Sequence, residues 1–204
     1  MENCPQVEQS INRHLVSVCP TLVLASQSPN RRKILEDAGV RVIARPQDIW
    51  EICGKTAPEE VVKTLSRQKF DSYLKSPEFD PSLPAVAVDT LVCYQGKLLG
   101  KPQNDEEAFS MLRMISGKWH EVYSGMSVYN PKTKESVTLS DVSRVLFKDL
   151  SDDMIRWYIS TGDCIGAAGA YKIQRNGYKL IDKTEGSLSN IIGLPLEKLI
   201  SVLS

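Results

Sequence analysis

Apolar and polar positions fall in blocks along this chain, and most blocks predict an element. Leu22-Val23-Leu24-Ala25 is a short apolar run of the kind that forms a buried strand. Ser28 suits an N-cap and Pro29 the first helical position, with Ile34, Leu35 and Ala38 on one face and Gly39 as the stop. Residues 40–44 predict a second strand and residues 46–57 a loop. A helix follows, read with Thr56 as its cap, Pro58 near its start and Glu59 and Glu60 in its first turn. Val61, Val62, Leu65, Phe70, Tyr73 and Leu74 recur along it at helical spacing, with Lys69 among them. Residues 76–84 hold three prolines and form a loop.

The most apolar segment spans residues 84–94. Both of its faces are apolar, which predicts a central strand covered on two sides. Asp89 stands in its middle. An ionised carboxylate is costly there unless it has a partner, a metal or an opening to solvent; the plain alternative is an Asp satisfied by backbone amides. Gln95-Gly96 turns the chain into residues 97–99. Asn104 caps a helix with Asp105, Glu106 and Glu107 in its first turn, and Gly117 ends it. Residues 119–129 and 135–147 predict two long strands joined by a hairpin at Asn130-Pro131. Ser151 starts a helix running to Ile159, and a Gly- and Ala-rich loop covers residues 161–170. Residues 178–181 predict a strand, and Gly193-Leu194-Pro195 opens a C-terminal helix. Residues 1–20 are mixed and polar and read as an extension before the fold. Early alternation of strands and helices with a β-rich part later predicts an α/β fold with a cleft.

Composition narrows the partners. A chain of 204 residues suits one sizeable domain or two small lobes. Lys plus Arg and Asp plus Glu stand at 25 each, so no whole-molecule field favours nucleic acid or an anionic membrane. Any anion site is therefore local. The first twenty residues lack the apolar stretch of a signal peptide, and no run approaches a membrane span. The five cysteines lack the close spacing of a zinc or redox motif and read as reduced thiols of an intracellular, cytoplasmic protein. His14 and His120 each lack a nearby second ligand and read as a surface and a structural residue.

The candidate chemistry starts at Ser26-Gln-Ser-Pro-Asn-Arg-Arg32. A strand that turns sharply into a helix leaves backbone N–H groups unpaired, and the helix dipole adds positive potential there. Ser26, Ser28, Arg31 and their neighbours would then converge on a phosphate or similar anion; a capped surface helix with solvated arginines is the plain alternative. No G-x-x-x-x-G-K-[ST] or G-x-G-x-x-G loop follows the first strand, and no H-E-x-x-H or G-x-S-x-G is present. What remains is a set of both signs: carboxylates at Glu51 and Asp89, cations at Arg31, Lys69 and Lys101, and hydroxyls at Ser26, Ser28 and Thr90. Cations hold a polyphosphate and stabilise charge on its leaving group, while carboxylates hold a divalent metal and take a proton from water.

Several segments carry a resemblance. They are Leu-Ala-Ser-Gln-Ser-Pro-Asn-Arg-Arg, Trp50-Glu51, Ala-Val-Asp-Thr at 87–90, Gly-Lys-Pro at 100–102, Ile-Ser-Gly at 115–117, Gly-Ala-Tyr-Lys-Ile-Gln at 169–174 and Ile-Gly-Leu-Pro at 192–195. In this order they resemble the Maf family of nucleotide pyrophosphatases, also described as septum formation inhibitors, over nearly all the chain beyond the first twenty residues. The resemblance implies a single domain over residues 21–204 with an ITPase-like architecture: a central mixed, twisted sheet flanked by helices, and two lobes with a cleft between them. It implies hydrolysis of a nucleoside triphosphate between the α and β phosphates with a divalent cation, Mg²⁺ or Mn²⁺, and a homodimer, for which the sequence offers no interface signature. Asp89 falls at the family's proton acceptor. Ser26, Arg31, Glu51, Lys69 and Lys101 fall at its other phosphate- and metal-handling positions, with Glu51 and Asp89 as metal ligands. Whether Asp89 is base, ligand or both stays open, since a metal beside it would lower its pKa.

Thr90 and Gln174 match the branch that resembles dTTP and UTP pyrophosphatases, where a hydroxyl and an amide could read a pyrimidine edge. Asn30 stands where that branch has arginine, and whether Arg32 substitutes is left open. Lys172 stands where the family has glycine; it is expected to face solvent rather than reach the triphosphate. Two other readings remain: a nucleotide-binding regulator of cell division without turnover, and a pyrophosphatase for 7-methyl-GTP, which Thr90 disfavours and Asn30 leaves room for.

Overall fold

The computed structural model describes residues 5–204. Its elements are α1 (Pro5–Val18), β1 (Thr21–Leu24), α2 (Pro29–Asp37), β2 (Arg41–Ala44), α3 (Pro58–Leu74), β3 (Ala85–Tyr94) and β4 (Lys97–Leu99), followed by α4 (Asp105–Ile115), β5 (Trp119–Asn130), β6 (Glu135–Phe147), α5 (Asp152–Ser160), β7 (Ile181–Glu185), α6 (Leu188–Ile192) and α7 (Leu196–Leu203). The sheet is seven-stranded in the order β2-β1-β3-β5-β6-β7, with β4 also paired to β3. β1 runs parallel to β2 and β3, and the remaining pairs are antiparallel. Parallel neighbours need crossovers, and α2 and α3 supply them. This is the α/β fold that the patterning predicts, with the mixed sheet flanked by helices that the family resemblance implies. No helix among the described residues is long and apolar enough to cross a membrane.

β3 is the central strand, and its alternation divides the core. Val86 and Val88 pack with Leu22, Leu24, Met126 and Val128 against α1, α2 and α7. Ala85 and Ala87 face the other way, with Phe70 and Tyr73 of α3. Small residues on that second face let α3 approach closely. The closest approach is at Gly125 of β5, the residue paired with Asp89. A Cβ on Gly125 would stand 2.1 Å from the carbonyl oxygen of Val62. Lys69 lies two helical turns beyond Val62 on the same face of α3, so this contact sets how Lys69 meets β3.

Four local expectations change. Residues 5–18, read as an extension before the fold, form α1 and pack into the core, because Ile11, Leu15 and Val18 share one face; Leu15 is fully buried and the helix packs on α7. The part of that stretch before Pro5 lies outside the described residues. The cap of α3 is Ala57, without a side-chain bond, because Pro58 at the first helical position places the cap on the residue before it. Residues 175–179 form a 3₁₀ turn, and the strand begins at Ile181, three residues later than predicted. The backbone at Gly177 lies so close to Lys172 that a Cβ there would stand 1.6 Å from its carbonyl oxygen, so the chain stays coiled until Leu180. Finally, α6 precedes the predicted C-terminal helix.

Candidate active site

Every residue singled out from the sequence as a site residue lines one cleft of about 410 Å³: Ser26, Ser28, Asn30, Arg31, Glu51, Lys69, Asp89, Thr90, Lys101 and Gln174. They come from the β1–α2 turn, the first turn of α2, the 46–57 loop, α3, β3, the turn after β4 and the segment after residue 170. The volume is in the range of small-molecule sites.

The start of α2 is built around Arg31. Ser28 caps the helix through its Oγ, which accepts from the Arg31 N–H at 3.4 Å, and Ser26 Oγ accepts from the Ser28 N–H at 3.2 Å. The Arg31 guanidinium donates to Gly193 O at 2.8 Å, Ser26 Oγ at 2.9 Å, Val88 O at 2.8 Å and Thr90 Oγ1 at 2.9 Å. One side chain thus ties α2, β3 and the end of α6 together. Burial pulls its pKa down, while the charges of Asp89 and Glu51 push it up. The chain can turn toward Arg31 at Gly193 because φ is +111° there and a Cβ would stand 3.3 Å from Thr90 Oγ1. Asn190, fully buried, holds α6 in place by donating to Val122 O and Ser143 Oγ, both at 3.0 Å.

Asp89 has a charged partner, not a set of backbone amides. Lys69 Nζ donates to Asp89 Oδ1 at 2.6 Å and lies 2.8 Å from Glu51 Oε1. Among the described residues nothing donates to Asp89 Oδ2, so that oxygen is left to accept from whatever enters the cleft. Glu51 reaches the pair from an open loop on which Trp50 is 89 % exposed.

The remaining cations differ. Lys101 lines the cleft with no side-chain partner among the described residues. Arg32, the suggested substitute at Asn30, does not line the cleft; it pairs with Glu36 at 2.7 Å on the exposed face of α2, while Asn30 itself does line it. Lys172, expected to face solvent, is also among the residues that line the cleft. Sequence reasoning missed the parts of the wall supplied by Gln47, Asp48 and Ile49, by Ile165 to Ala168, by Tyr171 and by Ile191 to Gly193. Gly193 and Tyr171 lay inside quoted segments; the loop residues carried no signal beyond neighbouring Glu51. His120 is structural as expected, buried under the site with Nε2 2.8 Å from the Tyr171 hydroxyl.

As a metal site the donor set fits a hard divalent cation. Two carboxylates, Glu51 and Asp89, already converge on one cationic atom, and Mg²⁺ commonly takes one or two carboxylates with substrate phosphates completing its shell.

A mixed α/β sheet with a helix start, four cations and an acid on its central strand sharing one cleft defines a protein built to handle a polyanion. Comparison with known proteins makes this specific. The family described as Maf-like protein matches residues 21–204, and the chain belongs to that family. It is 43 % identical over 177 residues to the dTTP/UTP pyrophosphatase of Methylobacillus flagellatus, covering 86 % of this chain and 87 % of that protein. It is 36 % identical over 182 residues to that of Thermosipho melanesiensis, covering 89 % and 96 %. With the namesake from Pyrococcus furiosus it shares 37 % identity over 184 residues, covering 89 % and 93 %. The matched region begins at β1, so α1 lies ahead of it.

Proposed function

We propose that this chain is a nucleoside triphosphate pyrophosphatase that cuts dTTP and UTP between the α and β phosphates, releasing a monophosphate and pyrophosphate. The names of its relatives support the substrate pair. The observation that carries the reading is the placement of Asp89, an acid of a central strand that opens into the same cleft as Arg31, Lys69 and Lys101.

Lys69 holds Asp89 Oδ1 and so aims Oδ2 at the attacking water. Asp89 takes the proton, the water oxygen bonds to the α-phosphorus, and the bond from that phosphorus to the bridging oxygen breaks. General-base help of this kind contributes a factor of about 10² to 10⁴ in rate. Ser26, Ser28 and the N-terminus of α2 receive phosphate oxygens, and the charge of Arg31 favours them there. Lys101 meets the pyrophosphate as it gains charge. Thr90 and Gln174 are the groups available to read the base, with Asn30 beside them. Glu51 and Asp89 would hold a divalent cation, which when bound would neutralise phosphate charge and polarise the reacting phosphoryl group.

The test is pyrophosphate release from a panel of ordinary and modified triphosphates with Mg²⁺ and Mn²⁺. Turnover of dTTP and UTP is expected, and Asp89→Asn should lower it by about 10²- to 10⁴-fold without loss of folding. An Asp89→Asn enzyme as fast as the parent would remove Asp89 as the base. Nucleotide-dependent thermal stabilisation with no product would replace the enzyme by a binding protein.

A further inference from the structure

We infer that Lys172 is a substrate-binding residue of this cleft, holding the terminal phosphate of the bound triphosphate beside Lys101. The inference rests on the pyrophosphatase reading and adds to it a residue and a place for the outer phosphates.

Four cations line the cleft, and two are already committed. Arg31 gives hydrogen bonds to four oxygens, and Lys69 is held between two carboxylates. Lys101 and Lys172 are different. Neither ammonium has a hydrogen-bond or ion-pair partner among the described residues, yet both residues line the cavity. The four cations stand against three lining carboxylates, Asp48, Glu51 and Asp89. Without Lys172 the lining charges would balance; with it the cleft carries a net positive charge toward a strongly anionic ligand.

The backbone at Lys172 is fixed although its side chain is free. Its N–H donates to the Tyr158 hydroxyl at 3.1 Å, and its carbonyl is packed against Gly177 with no room for a Cβ. Just before it, the Gly169 N–H donates to Gly100 O at 2.9 Å, which joins the 168–170 turn to the residue preceding Lys101. Gly169 also lies against Val92 of β3, where a Cβ would stand 2.8 Å from a valine methyl. The two free ammoniums therefore rise from one braced seam. A compact cation on a flexible stem from a rigid base is suited to a phosphate as a point charge. The α-phosphate must sit near Asp89 for attack, and Lys69 is occupied there. The groups left for the outer phosphates are Lys101 and Lys172.

The terminal phosphate is remote from the bond that breaks, so Lys172 should bind substrate and transition state alike. Lys172→Met is expected to raise KM for UTP about tenfold with kcat within about twofold of the parent. Inhibition by inorganic pyrophosphate should weaken by a similar factor, inhibition by UMP should not change, and Lys172→Arg should restore much of the loss. KM and pyrophosphate inhibition both within about twofold of the parent in Lys172→Met would overturn the assignment, as would a loss of UMP inhibition in step with that of pyrophosphate. Should the parent enzyme show no turnover, the pyrophosphatase reading fails by itself. Calorimetric binding of pyrophosphate to the parent and to Lys172→Met then decides the Lys172 assignment: weaker binding by the variant supports it, and equal binding overturns it.

Discussion

Arg31 and Lys69 are the two engaged cations of the cleft, and they are held in contrasting ways. Arg31 donates only to neutral oxygens, two backbone carbonyls and two hydroxyls. Lys69 sits between the carboxylates of Glu51 and Asp89. Neutral acceptors satisfy the guanidinium without cancelling its charge, so Arg31 projects a positive field into the cleft while it joins three elements. The charge of Lys69 is offset where it stands, and its contribution is to orient Asp89. In a chain whose charges balance overall, the sign of a site depends on what its cations are bonded to as much as on their number.

Breaking the Lys69 side should cost the most in rate. Lys69→Met leaves Asp89 unaimed beside Glu51 with no cation between them, and kcat/KM should fall about 10²- to 10³-fold in steady-state assays with UTP. Breaking the Arg31 side should cost stability as well as rate. Arg31→Met strands the Val88 and Gly193 carbonyls, and urea unfolding should show a loss of about 2–4 kcal/mol. Arg31→Lys keeps the charge but not the fork, so it should recover more activity than stability. That split would sharpen the contrast between field and clamp; equal recovery of both would erase it.

Gly125→Ala probes the Lys69 side from a distance. A methyl group there meets the backbone of α3, so stability should drop by about 1–3 kcal/mol and turnover should fall with it as Lys69 is pushed from Asp89. The last effect belongs to neither cation. Burial pushes the pKa of His120 from 6.5 down to about 4, so the folded protein holds it neutral while the unfolded chain takes up a proton below pH 6.5. Its stabilising contribution is complete above that pH and is lost as pH falls toward 4. Between pH 6.5 and about pH 5 the loss is about 2 kcal/mol. Denaturant unfolding at several pH values should show this slope, and His120→Gln should remove it.

Much of this was legible along the chain. Asp89 was conspicuous because a carboxylate in the middle of a two-faced apolar strand demands an explanation, whereas Lys69 stood among the positions of a regular helix and drew its role from the family resemblance. Ser28, Pro29 and Asn104 announced their helix starts through local capping chemistry. Other features had no local signature. α1 looked polar because its apolar face is narrow and becomes meaningful only against α7. β7 carries one buried apolar residue, so its pairing with β6 leaves little mark in the sequence. Nothing near Lys172 in sequence says that it lines the cleft.

The sequence by itself determined the order of most elements, the central strand and the kinds of side chain available for chemistry. These follow from backbone propensity, capping and hydrophobic period, which act over a few residues. Only the tertiary structure decided which of those side chains meet. Asp89 pairs with Lys69 because Gly125 lets α3 close on the sheet, and Arg31 clamps because Gly193, far away in sequence, turns its carbonyl inward. Contacts of that kind depend on close packing between segments that no local pattern connects, and the charge left free in the cleft depends on them.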